Sequence, residues 1–481
     1  MALFPEARLR SRGLNPEKKF YFIMEAKMFT TPNTRYLIVS VFLFQMVVSR
    51  AAIAYLETTK LFPPDANAGD SFGSSVAIDG NIAVVGAYQN DSNGSDCGAA
   101  YVYVLSGSQW IQKQKLVPSD GAANDQFGKS VAVAGNTIVV GSYLDDNKGS
   151  AYVFTCSGGI WSRQQKLVAP DAAAKDKFGC SVAIDNNTIV IGAYGDDSGK
   201  GSAYVFTRTG TNWGFQGKLT ASDAQSGAYF GNSVAIDHNT IIAGAPNWNT
   251  PIGSAYFYQR QNTTWSEQSI LRGDAGHFGY SVALDGNWAV IGAYEGDTNV
   301  VSGAGTAYVF AKTGAVWVEQ QKLFDANSPA YSEDFGWAVA IKNDTILVGC
   351  PYDFVNGNMT GSVFEFVRTG TTWIQSAWLT ADDANTNDKF GSSTALSGRH
   401  IIIGSPYNSN NGKATGSAYL FDNLPGDLDA DGDVDFFDFA VLAGCWHQNN
   451  PLADIAPEPA GDGIVDIKDL AVLCGNWLAG K

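Results

Sequence analysis

FGCSVAIDNNTIVIGAYGDDSGKGSAYVF, residues 178–206, contains most of one structural unit. It opens on Phe178-Gly179, runs through the alternating segment SVAID and turns at Asp185-Asn186-Asn187. A second apolar run then ends in Gly192-Ala193-Tyr194, and a third follows from Gly201 as GSAYVF. A fourth run, WSRQQKL at Trp161–Leu167, has equivalents at Trp110, Trp213, Trp265, Trp317 and Trp373. Short runs of β-branched and aromatic residues separated by turn residues describe an antiparallel sheet of four strands.

The order repeats along the chain. Phe-Gly occurs at Phe72, Phe127, Phe178, Phe230, Phe278, Phe335 and Phe390, spaced between 48 residues (Phe230 to Phe278) and 57 (Phe278 to Phe335). The third run starts at Gly98, Gly149, Gly201, Gly253, Gly305, Gly361 and Gly416. A single four-stranded unit cannot bury both its faces, so neighbours must stack, and closing them into a ring protects the edges. The last unit ends at Phe421 without its fourth strand, while residues 55–61, YLETTKL, supply a fourth-strand match ahead of the first Phe-Gly. The expected fold is all-β: a seven-bladed β-propeller of four-stranded blades over residues 55–423, its last blade completed by both ends of the segment.

These residues resemble the FG-GAP repeats of bacterial secreted proteins and, more distantly, the propeller of integrin alpha chains. The resemblance implies that Phe-Gly and Gly-Ala-Pro segments serve packing between strands and blades. Integrin-type repeats often hold calcium in a loop between the first two strands. Here that connection shrinks to hairpin turns such as Asp79-Gly80-Asn81, Asp185-Asn186-Asn187 and Asp237-His238-Asn239, so that site is not carried over.

Two sets of acids remain. Asp65, Asp120, Asp171, Asp223, Asp274, Asp325 and Asp383 precede Phe-Gly in every unit, which predicts a turn-capping role. Asp145-Asp146 and Asp196-Asp197 fall between the second and third strands and are expected in solvated loops. The connections between strands two and three and between blades emerge on one face, where Tyr194, Trp248, Tyr294 and Tyr352 are either ligand contacts or rim packing.

Composition limits the function. Thirty-one Lys and Arg stand against 47 Asp and Glu, a net charge of −16, which excludes nucleic acid as a partner because phosphate binding needs a basic surface. Only His238, His277, His400 and His447 occur, none as a spaced pair or near a nucleophile motif, so no catalytic residues are assigned. Residues 36–48, YLIVSVFLFQMVV, follow Arg35 and precede Ala52-Ile53-Ala54, the order of an export signal. Residues 1–54 are thus an N-terminal extension and removable signal peptide, with no transmembrane span after cleavage. Cys97, Cys156, Cys180 and Cys350 show no framework spacing, whereas Cys445 and Cys474 sit in matching segments and either pair or do not.

Residues 424–481 form a separate module. DLDADGDVDFFD fits a twelve-residue calcium loop, with Asp427, Asp429 and Asp431 at positions 1, 3 and 5 and Gly432 at 6. Asp433 offers its carbonyl at 7, Asp435 acts through water at 9, and Asp438 closes at 12. A second, degenerate loop has Asp462, Ile464, Asp466 and Asp469 at positions 5, 7, 9 and 12, but Glu458 and Ala460 at 1 and 3. An apolar, helix-like segment follows each loop.

Two such loop–helix halves resemble a type I dockerin. The resemblance implies a small α-helical module with EF-hand-like calcium loops, calcium-dependent folding and docking to a cohesin-type protein. Phe436-Phe437 and Ile467-Lys468 stand at the recognition positions in place of the usual hydroxyl pair. The expected protein is therefore secreted or on the cell surface, non-catalytic, with a propeller that binds a protein or glycan. The alternative is a dockerin-bearing carbohydrate-active enzyme, a glycoside hydrolase or polysaccharide lyase in polysaccharide catabolism, and its signature would be two acids from unlike blades converging on the central channel.

Overall fold

The computed structural model describes residues 57–422 apart from 108, 251, 275, 299–300, 326–332 and 411–412, together with 27–31, 34–38, 439, 442–443, 446, 465 and 467–475. The chain divides into two compact units, residues 1–50 and 51–481. In the first, Lys27–Thr31 pairs antiparallel with Thr34–Ile38. The remainder of the apolar run 36–48 lies outside the described residues, as do Asp427, Asp429, Asp431, Asp433, Asp435, Asp438, Asp462, Ile464 and Asp466. No helix among the described residues is long and apolar enough to cross a membrane.

Within the second unit the repeats become seven antiparallel sheets of four strands. Blade three shows the pattern: Val182–Asp185, Thr188–Ala193, Ser202–Thr209 and Asn212–Leu219 run in sequence order from the ring's inside to its outside. The second strand buries all six of its residues and the third its first five, whereas the outer strand buries only two, as expected when the middle of each sheet is covered on both faces and its edge is not. The seventh blade is built from Ser393–Ser397, His400–Ser405, Ser417–Asp422 and, as its outer strand, Glu57–Leu61. The expected closure of the ring by both ends of the segment is what the structure shows.

The hydrophobic core is divided among the junctions. Each of seven apolar clusters straddles two neighbouring blades, and the one holding Leu61, Ile402 and Leu420 with Phe72, Val85 and Tyr101 joins the last to the first. Every Phe-Gly phenylalanine is buried and meets aromatic rings of its own third strand edge-on, as Phe178 meets Tyr204 at 5.4 Å. The inner strands touch their neighbours all the way round, Ser393–Ser397 against Phe72–Asp79 included.

Polar groups fix the blade-to-blade spacing. The serine two residues past the Phe-Gly glycine donates to the next blade's Phe-Gly glycine carbonyl, from Ser75 to Gly128 (2.9 Å) through to Ser393 and Gly73 (2.9 Å), with Ala338 the exception. A Cβ on Gly404 would lie 1.9 Å from the Gly73 carbonyl oxygen, so the glycine is required by the close approach of the next blade. At the outer edge Gln114, Gln165 and Gln321 each exchange two hydrogen bonds with the backbone of Trp161, Trp213 and Trp373 on the following blade.

Candidate functional site

Two recurring acid positions behave differently from their sequence reading. Asp65, Asp171, Asp223, Asp274 and Asp383 accept hydrogen bonds from third-strand tyrosines, Tyr101, Tyr204, Tyr256, Tyr308 and Tyr419. Most also pair with an outer-strand lysine, as Asp171 does with Lys218 at 2.6 Å. The turn caps are other acids: Asp70, Asp125, Asp176 and Asp388 accept the backbone amides of Asn67, Ala122, Ala173 and Asn385. The capping expectation is thus corrected. A carboxylate three residues beyond the amide closes the local turn, and the earlier acid is left to bridge strands.

Asp145 and Asp196, expected in solvent, are buried. Asp145 accepts from Ser150 and Tyr152 and pairs with Lys166 at 2.6 Å, and Asp196 repeats this with Ser202, Tyr204 and Lys218. Their neighbours Asp146 and Asp197 remain at the surface, Asp197 paired with Lys200. Burial opposes the charge on Lys166, but its hydrogen bonds to Asp145, Tyr152 and Asp120 carry the ammonium above its ordinary value. These nodes brace blades two and three and are saturated by their own partners.

The variable chemistry lies elsewhere, where the inner strands begin. The residues just before Phe-Gly are Ser71, Gln126, Lys177, Tyr229, His277, Asp334 and Lys389, and all seven adopt a left-handed φ between 56° and 62°. Such a conformation costs a non-glycine residue about 1–2 kcal/mol. The residues just after are Ser74, Lys129, Cys180, Asn232, Tyr280, Trp337 and Ser392. No two neighbouring blades share the same pair. Because the inner strands form the ring's inside wall, these flanks meet at one central mouth with the ends of the second strands.

That mouth is a cavity of about 700 Å³ lined from several blades, among them by Tyr88, Lys129, Tyr143, Tyr280, Trp337 and Tyr407. It has two unlike sides. Over blades five and six, Tyr280 packs on Tyr294 (4.6 Å) and Trp337 (4.8 Å), and His277 stacks on Tyr294 at 5.1 Å. His277 Nε2 lies 3.4 Å from the Glu295 carboxylate. Over blades seven, two and three stand Lys389, Lys129 and Lys177, each against tyrosine rings.

Asp334 lies near Tyr280, Tyr294 and Glu295. Burial, then the neighbouring Glu295 charge, push its carboxyl up from 3.8 to about 7, opposed by Lys389. The folded protein therefore holds this proton more tightly than the unfolded chain, and stability falls as pH rises from about 4 to about 7. We expect Asp334→Asn to raise the Tm by a few degrees at pH 8 and to leave it unchanged at pH 4. An equal change at both values would show that the carboxyl ionises normally.

Of the four predicted contact residues, Tyr194 and Tyr352 line the mouth, and Tyr294 backs it through Tyr280 and Trp337. Trp248 instead packs beneath the Arg272 guanidinium at 4.1 Å, which is rim packing. Cys97, Cys156, Cys180 and Cys350 are free thiols, as expected. Of the predicted calcium ligands only Asp469 is described: it is buried in the first turn of the helix Ile467–Gly475.

A family model for the FG-GAP repeat matches residues 55–103, 110–154, 161–206, 213–258, 265–310, 317–366 and 373–421. The chain belongs to the FG-GAP repeat family. Each FG-GAP match spans one blade's outer strand and three strands of the next, the stagger by which Glu57–Leu61 completes the ring. Human integrin alpha-11 is 33% identical over 132 residues, covering 24% of this chain and 11% of the human protein. The chain thus spans about a tenth of that relative. Among solved structures, that of Saccharomyces cerevisiae Sqt1 aligns with a TM-score of 0.43 and 9% identity over 77% of this chain and 88% of that one.

The phenylalanine and glycine of each FG-GAP motif are packed into the blade junction, whereas most of the residues that flank them open on the mouth. The signal was present in the repeat itself: two columns beside an invariant dipeptide that differ from blade to blade. The sequence marks no converging acids, and the charge of Glu295 in blade five reaches Asp334 of blade six only in the folded ring.

Proposed function

We propose that this FG-GAP propeller is an exported, non-catalytic binding protein that holds a protein or glycan ligand at its central mouth. The observation that carries this reading is the contrast between seven near-identical scaffolds and the flanks of Phe-Gly, which change from blade to blade where they converge. A rigid frame with varied, strained residues at one opening is how repeat folds present binding surfaces. The family relationship to an integrin alpha chain supports an adhesive role outside the cell.

The tail would anchor the protein. In the dockerin-like reading, Asp427, Asp429, Asp431, Asp433, Asp435 and Asp438 hold one calcium ion and Asp462, Ile464, Asp466 and Asp469 a weaker second, by hard oxygen donors. Asp469, a buried carboxylate opening a helix, suits a closing ligand at the loop–helix junction. Bound calcium would neutralise the crowded carboxylates and let each loop fold against its helix, presenting a face to a cohesin-type partner.

The test is calcium titration calorimetry on the full chain and on the Asp427→Ala, Asp431→Ala double variant, with a glycan and matrix-protein array read on both. Saturable calcium binding lost in the variant, and an array ligand lost in Tyr407→Ala, support the two halves of the reading. An array without any saturable ligand sinks the propeller half, and calcium-silent calorimetry sinks the anchor. A second reading, a carbohydrate-active enzyme, draws on Asp334 and Glu295. It requires polysaccharide turnover that Asp334→Asn and Glu295→Gln each abolish.

A further inference from the structure

Two groups of lysines stand apart in this protein. Lys60, Lys115, Lys166, Lys218 and Lys322 recur on outer strands, and each pairs with a carboxylate of its own blade. Lys129 and Lys389 line the mouth and Lys177 stands beside it over Tyr143; all three break the repeat, and among the described residues none forms an ion pair. Lys129 lies over Tyr88 at 4.8 Å and Tyr143 at 5.8 Å. Lys177 lies over Tyr143 at 5.3 Å. Lys389 lies over Tyr407 at 4.5 Å and donates to the Tyr352 hydroxyl at 2.9 Å.

Ring faces orient an ammonium group but return only part of the hydration it loses. Burial accordingly holds the Lys129 and Lys177 ammonium groups below their ordinary values. Lys129 and Lys389, from separate blades and in no ion pair among the described residues, line one opening and make it a site for an anionic group. The surroundings narrow the ligand further. Ser74, Asn232, Ser392 and tyrosine hydroxyls offer hydrogen bonds across a concave opening, which suits a polyol better than the apolar anchors of a folded partner. Tyr229 and Tyr407, 37% and 46% exposed, present the most open rings at the mouth.

We propose that the mouth binds an acidic saccharide, its carboxylate held by Lys129 and Lys389 and its sugar faces laid against Tyr229 and Tyr407. This rests on the binding-protein reading and deepens it by naming the ligand class. The chain's overall charge of −16 repels such a ligand at long range, so recognition depends on these few short-range contacts.

Calorimetry on the full chain with trigalacturonate, its methyl ester and an oligoaspartate peptide tests it. Trigalacturonate should bind at least tenfold more tightly than the ester, and Lys129→Met and Lys389→Met should each weaken it at least tenfold. Lys113→Met, on an exposed outer strand, should not change it. Lys129→Met removes a desolvated charge and should keep or raise the Tm, so lost binding there is not lost folding. Equal affinity for acid and ester, both abolished by Tyr407→Ala, would overturn the acidic ligand while leaving the mouth as a binding site. Tighter binding of oligoaspartate, or no binding of either saccharide, overturns the saccharide class.

Discussion

Deleting Glu57–Leu61 should abolish the single cooperative unfolding transition of the propeller. These five residues are the outer strand of the last blade, paired through Glu57 with Phe421, Lys60 with Tyr419 and Leu61 with Ala418. Their loss removes several ladder hydrogen bonds at about 1 kcal/mol each and the buried Leu61 at about 2 kcal/mol. It also strips Asp383 of its Lys60 partner and turns Ser417–Asp422 into an open edge. A deficit of roughly 5 kcal/mol is a large part of what holds most domains folded, so a broad, low-temperature transition with aggregation is expected. Grafting the same strand behind Asp422 through a two-residue turn like Gly210-Thr211 should restore the transition. A deletion that unfolds like the parent would mean that the ring closes without this strand.

Lys166→Met should destabilise by about 3–5 kcal/mol, the usual effect of leaving a buried charge without its partner. Asp145 is buried, and Lys166 is the cation that reaches it. The repeat already contains the compensating changes. Blade one carries Asn90 where blade two has Asp145, and blade four has Trp248 and Ile270 where blade two has Asp145 and Lys166. In blade six Trp378 replaces the lysine and donates its indole N–H to Asp353 at 3.2 Å. We therefore expect the Asp145→Asn, Lys166→Met double variant to be more stable than Lys166→Met alone by roughly 1–3 kcal/mol. Strict additivity in chemical denaturation of the four proteins would sink the buried-pair interpretation.

The periodic features were legible in the chain because local rules demand them in every copy. Phe72 and its six equivalents must fill the space beneath a third strand. Gly404 must let a neighbouring carbonyl approach, and the missing seventh fourth strand had a match at residues 55–61. The acids were harder. Asp65 and Asp70 both precede the same Phe-Gly, and only coordinates distinguish the one that reaches Tyr101 and Lys115 from the one that caps the Asn67 amide. Asp145 and Asp146 are adjacent, yet one is buried and the other exposed, because the turn places Asp146 at a left-handed φ of 51° and directs the two side chains apart.

By itself, then, the sequence determined the blade, the number of blades and how the ring closes, since strand pairing and junction packing impose the same residues at each repeat. The mouth was decided only by tertiary structure. Lys129, Trp337 and Lys389 flank Phe-Gly in separate repeats and follow no period, so the chain marks these columns as variable without showing that they meet. They become one site because radial closure carries the start of every inner strand to a common axis, where burial and neighbouring charge set their chemistry.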